Sequence, residues 1–164
     1  MSNTYIIMTI KNILLVEDNP DDRELMKLAF ARSEIPHNLI ILSDGIEALN
    51  YLQRASHNED LSSSGDRSMA DMPAVVILDI NLPTIDGIEV LRRIRADSRI
   101  RIIPVVIISS SNEPQDLIDS YINGCNSYIR KPLDFTQLKN FAKEISTYWL
   151  RVNLLPPVFG VTNE

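Results

Sequence analysis

Five polar residues of this chain stand where apolar runs stop. Glu17-Asp18 follow the Ile-Leu-Leu-Val stretch within Lys11–Val16, and Asp79 closes Ala74-Val-Val-Ile-Leu-Asp79. Ser109 closes Pro104-Val-Val-Ile-Ile-Ser109, and Lys131 comes shortly after Ser127-Tyr128-Ile129. Continuous apolar runs of this length, stopped by turn residues, read as strands buried on both faces of a parallel sheet. Ligands of such sheets gather at the carboxyl ends of the strands. Brought to one edge, three carboxylates face a single ammonium, an excess of like charge that is unfavourable without a cation. An all-oxygen donor set suits Mg²⁺, which keeps several waters and takes only one or two carboxylates. The backbone carbonyl of Asn81 is a natural additional ligand. A site so neutralised can accept a phosphoryl group. Asp79 is the best-centred nucleophile, forming an aspartyl phosphate, and the Lys131 ammonium would offset charge on the phosphoryl oxygens. Ser109 can donate a hydroxyl hydrogen bond to one of those oxygens. Lysine beside proline in Lys131-Pro132 predicts a constrained turn, with a cis peptide aiming the lysine inward.

The elements that must position these groups follow from periodicity. After the first strand, Pro20 suits the first turn of a helix and the surrounding acids favour its positive end. Leu25, Leu28 and Ala29 are expected to give that helix its apolar face. His37–Leu42 reads as a second strand, and Asp44-Gly-Ile-Glu47 as a capping box opening a second helix with Ala48, Leu49 and Leu52 buried. Residues 55–72 carry a Ser-Ser-Ser-Gly run and no periodicity, the pattern of a long exposed loop. Beyond Asp79, the stretch Pro83–Gly87 reads as a turn holding the next helix clear of the site. That helix buries Ile88, Leu91 and Ile94 and turns Arg92, Arg93 and Arg95 to solvent. Glu113–Asn123 supplies a fourth helix with Leu117, Ile118, Tyr121 and Ile122, closed by Gly124. The last helix starts near Asp134 and carries Phe135, Leu138, Ala142, Ile145 and Trp149 at helical spacing. The tail Leu154–Phe159 cannot continue that helix because of its own paired prolines. Five strands alternating with five helices predict a doubly wound α/β fold, a parallel sheet covered on both faces.

Composition narrows the function classes. The 164 residues carry a net charge of −6 at pH 7, which argues against nucleic-acid binding through a broad basic surface. The single cysteine, Cys125, leaves no internal disulfide and fits a reducing cytoplasm. No apolar run approaches the roughly 20 residues that span a bilayer, and the first residues lack the pattern of a signal peptide. Expected boundaries are an N-terminal extension at 1–10, one domain at 11–150 and a tail at 151–164.

The acids Glu17-Asp18, then Asp79, Ser109 and Lys131-Pro132, in that order at successive strand ends, resemble the response-regulator receiver domain from about Ile10 to Trp149. The resemblance implies the CheY-like, flavodoxin-like (βα)5 fold and a role in a two-component phosphorelay rather than as an enzyme on outside substrates. It implies Asp79 as phosphoacceptor and Mg²⁺ held by Glu17, Asp18, Asp79 and the Asn81 carbonyl. Lys131 would contact the phosphoryl group, and Ser109 and Tyr128 would form a switch pair that repacks the face made by helix four, strand five and helix five. The implied partner is a sensor histidine kinase. The long loop, the serine-rich turn after strand four and the Tyr-Trp-Leu ending are similar to regulators paired with cyanobacterial phytochromes, commonly homodimers. Here the last helix and tail could supply the apolar patch. With nothing after Trp149 long enough for an output domain, a stand-alone receiver is expected.

Two residues depart from the family pattern. Cys125 and Ser110 stand where smaller residues are usual, and are expected to alter access to the phosphoryl group. Three other readings fit parts of the pattern. An aspartate-nucleophile phosphohydrolase of the haloacid dehalogenase type needs a second aspartate at position 81 and a nucleophile after the first strand. A flavodoxin-like FMN binder needs a phosphate-cradling loop where Glu17-Asp18 stand. An unphosphorylated receiver-like scaffold would not need the full residue set.

Overall fold

A computed structural model describes residues 10–57 and 72–156. The elements alternate strictly. They are β1 (Lys11–Val16), α1 (Pro20–Ala31), β2 (His37–Leu42), α2 (Gly45–His57), β3 (Val75–Asp79) and α3 (Gly87–Ala96). Then come β4 (Val105–Ser109), α4 (Pro114–Ile122), β5 (Ser127–Arg130) and α5 (Phe135–Thr147), which runs into a π-helical turn, Tyr148–Val152. The sheet is parallel throughout, in the order β2-β1-β3-β4-β5. This is the doubly wound fold expected. The strand order reverses between β1 and β3, where such sheets open a crevice at their carboxyl ends.

The three central strands explain why their sequences lack alternation. Every residue of β3 and β4 is buried, as are all of β1 except Lys11. Their side chains alternate between two cores instead. Ile13, Leu15, Val75, Ile77, Val106 and Ile108 meet α1 and α5, while Leu14, Val16, Val76, Leu78, Val105 and Ile107 meet α2 and α3. A fully buried Leu, Ile or Phe contributes about 1.5–3 kcal/mol, so the central strands are a rigid platform for whatever their ends carry.

Several expectations need correction. In α1 the inward face is Met26, Ala29 and Phe30, whereas Leu25 and Leu28 are exposed. Phe30 stacks edge-on with Phe141 of α5, and that larger ring selects the face. Helix α2 continues through His57 with Ala55 buried, so the loop does not start at 55. The remainder of that loop, residues 58–71, lies outside the described residues, as do residues 1–9 and 157–164 of the extension and tail. Within the tail, Leu155 packs into the α1/α5 core and Leu154 is exposed. In α4 the apolar residues Leu117, Ile118, Tyr121 and Ile122 all face outward, and Ser120 alone is buried.

Arg95 is not a solvated residue. Its guanidinium donates to the carbonyls of Gly124, Arg101 and Ile103 at 2.8 Å and to Asn126 Oδ1 at 3.0 Å. It ties the end of α3 to the loops that enter β4 and β5. Gly124, at φ +91°, completes the α4 cap: its N–H donates to Tyr121 O and that of Cys125 to Ser120 O, both at 3.0 Å. Cys125 is therefore at the amino-terminal edge of the sheet, beside Asn126, whose N–H donates to Val105 O. That edge is opposite Asp79, so the expected influence of Cys125 on phosphoryl access falls away. None of the helices in the described residues is long and apolar enough to cross a membrane.

Candidate functional site

The β1–α1 loop is built by Asn19. Its side-chain oxygen accepts from the N–H groups of Asp21 and Asp22, capping α1 ahead of Pro20 at the first helical position. Its own N–H donates to Glu17 Oε1 at 3.0 Å. Arg23 reaches back to the Asp18 carbonyl at 3.0 Å. The loop thus turns Glu17 inward, fully buried, and leaves Asp18 exposed.

Asp79 is buried at the last position of β3. Its Oδ1 accepts from the Asn81 N–H at 3.0 Å, fixing the carboxylate against its own turn. The turn itself is tight. Thr84 sits at φ 70°, a left-handed conformation costly for a β-branched residue, with the Ile85 N–H bonded to Pro83 O at 2.8 Å. Thr84 Oγ1 donates to Asp44 Oδ2, anchoring the turn to the start of α2. Far from being held clear, α3 begins against the strand end. A Cβ at Gly87 would lie 2.2 Å from the Asp79 carbonyl oxygen, so only glycine permits this approach.

Lys131 follows β5. Its N–H bonds Ser109 O at 2.8 Å and its side chain crosses to the acids. The chain has no cis peptide among the described residues, so the Lys131–Pro132 bond is trans, contrary to expectation. Three carboxylate contacts aim the lysine. Nζ donates to Asp79 Oδ2 and Asp22 Oδ2, both at 2.9 Å, and lies 2.7 Å from Glu17 Oε2. Burial alone would lower the Lys131 pKa, but the three carboxylates outweigh it and hold the ammonium well above its ordinary range.

Glu17 shows the opposite imbalance. Burial pushes its carboxyl up to about 7, against the Lys131 contact and with added repulsion from Asp79. Its Oε2 is ion-paired to Lys131 at 2.7 Å and meets no other donor among the described residues. A buried carboxylate oxygen with unused lone pairs is costly. One oxygen each from Glu17, Asp18 and Asp79 lie within 4.8 Å of one another. That donor set, hard oxygens with excess negative charge, fits a divalent hard cation.

The strand ends thus bring Glu17, Asp18, Asp79 and Lys131 together as expected. Ser109 is buried one strand over, its Oγ accepting from the Ser111 N–H at 3.1 Å. Tyr128 is half-buried on β5 against the α2/α3 core. Asn81 is exposed, and its hydrogen bond to Asp79 is through its N–H. Asp22 was not anticipated as part of the site. Its signal was its place in the first turn of a helix that starts at a strand end.

This arrangement is that of a receiver domain, and the comparisons agree. The family described as "Response regulator receiver domain" matches residues 13–143, and the chain belongs to that family. It is 42% identical over 144 residues to the probable methanogenesis regulatory protein FilR2 of Methanothrix harundinacea, covering 88% of this chain and 86% of that protein. It is 36% identical to the response regulator Rcp1 of Synechocystis, covering 89% of this chain and 93% of Rcp1. The Mn²⁺-bound form of Rcp1 superposes with a TM-score of 0.73, covering 89% of this chain and 99% of that one. The phosphorylated cyanobacterial phytochrome response regulator RcpA, at 38% identity, superposes with a TM-score of 0.77 over 90% of this chain and 99% of that one. Membership removes the haloacid dehalogenase and FMN-binding alternatives. The chain is a receiver-domain response regulator, a signalling protein of two-component systems rather than an enzyme of the ordinary kind.

Proposed function

We propose that the chain takes a phosphoryl group from a sensor histidine kinase onto Asp79, and that Mg²⁺ is required. The observation that carries this reading is the placement of Asp79 between the Lys131 ammonium and the acids Glu17 and Asp18. Glu17, Asp18, Asp79 and the Asn81 carbonyl would hold the metal. When bound, it offsets negative charge on the donor's phosphoryl oxygens. An Asp79 carboxylate oxygen forms the new P–O bond as the P–N bond to the donor histidine breaks, leaving the imidazole with the electron pair. Lys131 exchanges its Asp79 contact for a phosphoryl oxygen. Ser109 rotates to donate to another, and Tyr128 follows it inward, repacking the surface of α4, β5 and α5.

A phytochrome kinase is the proposed donor, supported by the likeness to Rcp1 and RcpA, two regulators similar along nearly their whole length. The exposed Leu117, Ile118, Tyr121 and Ile122 of α4 favour a homodimer through the α4-β5-α5 face, with the tail contributing. The receiver unit is taken as residues 11–150, with extensions at 1–10 and 151–164, acting in the cytoplasm without nucleic acid or membrane.

The test is phosphotransfer from a panel of autophosphorylated histidine kinases. Acid-stable, base-labile label on the wild type, dependent on Mg²⁺ and absent from Asp79→Asn, is expected. Equal labelling of the Asn variant sinks the assignment of Asp79, and no label from any kinase sinks it in favour of the unphosphorylated scaffold. For the dimer, Ile118→Glu with Ile122→Glu should lower the mass in solution to that of a monomer, and an unchanged mass removes α4 from the interface.

A further inference from the structure

Resting on that reading of Asp79, we propose that Asp22 is the positioning residue for Lys131, holding the ammonium in place while its other partners change. A lysine side chain has four rotatable bonds and loses rotamer freedom when fixed. Something must hold it at the moment of transfer. The Lys131 N–H is anchored on Ser109 O, but that fixes only the backbone.

The ammonium has three carboxylate partners, and two of them are committed elsewhere in the reaction. Asp79 becomes an acyl phosphate, so its contact passes to a phosphoryl oxygen. Glu17 belongs to the group that fits a cation, so its 2.7 Å pairing with Lys131 would be shared with the metal. Asp22 is outside that metal-fitting group, yet donates no proton and accepts a well-formed hydrogen bond from Nζ at 2.9 Å. It is also rigidly carried. Its own N–H is bound to Asn19 Oδ1 at 3.0 Å in the first turn of α1. Among the described residues, Asp22 is therefore the one side-chain contact of Lys131 that can persist unchanged from the resting protein to the phosphorylated one. Lys131 then pivots about it by one hydrogen bond instead of searching its rotamers.

The test uses acetyl phosphate as donor, because a small molecule does not depend on protein docking at α1. Phosphorylation of the full chain is followed with Mg²⁺ for wild type, Asp22→Ala, Asp22→Asn and Asp79→Asn. Loss of alignment predicts a maximal rate roughly tenfold lower for Asp22→Ala, with little change in the half-saturating donor concentration. Asp22→Asn, which keeps an acceptor oxygen but no charge, should return to within about twofold of wild type. Thermal midpoints of the two Asp22 variants should match. A wild-type rate in Asp22→Ala overturns the proposal. So do equally slow Ala and Asn variants, which would make Asp22 a charge effect, or a loss of rate that tracks a loss of folded protein. No label on the wild type overturns the phosphoacceptor reading as well, whereas label that needs Asp79 but ignores Asp22 overturns this proposal alone.

Discussion

Two cations hold the opposite edges of one sheet, and they are held in opposite ways. At the carboxyl edge, Lys131 sits among Glu17, Asp22 and Asp79, with Asp18 close by, so negative charge is in excess. At the amino edge, Arg95 is surrounded by three backbone carbonyls and an amide oxygen. Burial holds the Arg95 pKa below its ordinary range with no carboxylate to counter it, whereas carboxylates raise that of Lys131. Arg95 completes the bonding of two loops, those entering β4 and β5. The Lys131 edge is left short of positive charge, which a metal and a change of chemistry can relieve. One edge is fully bonded, and the other carries negative charge that its own residues do not balance.

Substitutions should break this contrast in order of size. Arg95→Ala strips three backbone carbonyls of their side-chain donor and is expected to cost about 3 kcal/mol, roughly 6–12 °C in Tm. Thermal melts with and without Mg²⁺ should show the same loss, since no metal acts at that edge. Lys131→Ala leaves the acids unpaired and should cost about 2 kcal/mol in chelator, but here Mg²⁺ should restore much of the loss. Identical behaviour of the two variants toward Mg²⁺ would erase the distinction.

The pH dependence follows from Glu17, whose carboxyl is raised from 4.5 to about 7 in the folded chain. A raised pKa means stability present below the unfolded value and lost as pH climbs through the folded one. Metal-free protein should therefore lose stability steadily between roughly pH 4.5 and 7, and Glu17→Gln should flatten that slope in denaturant titrations. Smallest of all, Asp79→Asn removes one repelling charge and should stabilise the metal-free protein by about 1 kcal/mol. A destabilised Asn variant would mean that Asp79 is held by favourable contacts, as Arg95 is.

The central strands were legible because burial on both faces writes itself as an unbroken apolar run, as in Val75–Leu78 and Val105–Ile108. Their end residues followed, and with them Asp79, Glu17, Asp18 and Lys131. The helices were less legible. In α1, apolar residues occur on two sides, and packing of Phe30 on Phe141 decides for Met26 and Phe30 over Leu25 and Leu28. In α4 the apolar residues look like a core face, yet nothing among the described residues covers them. Asp22 and Arg95 were missed for one reason. Asp22 meets a partner more than a hundred positions away, and Arg95 meets mostly backbone carbonyls, which every sequence offers equally.

The most direct measurement is the intact mass of the protein after incubation with acetyl phosphate. With Mg²⁺, the wild type should gain one phosphoryl group, and peptide mapping should place it on Asp79. With chelator, or in Asp79→Asn, the mass should stay unchanged. A phosphoryl group on any other residue, or the same gain in the Asn variant, would contradict the account of the carboxyl edge as the place where the chain is modified.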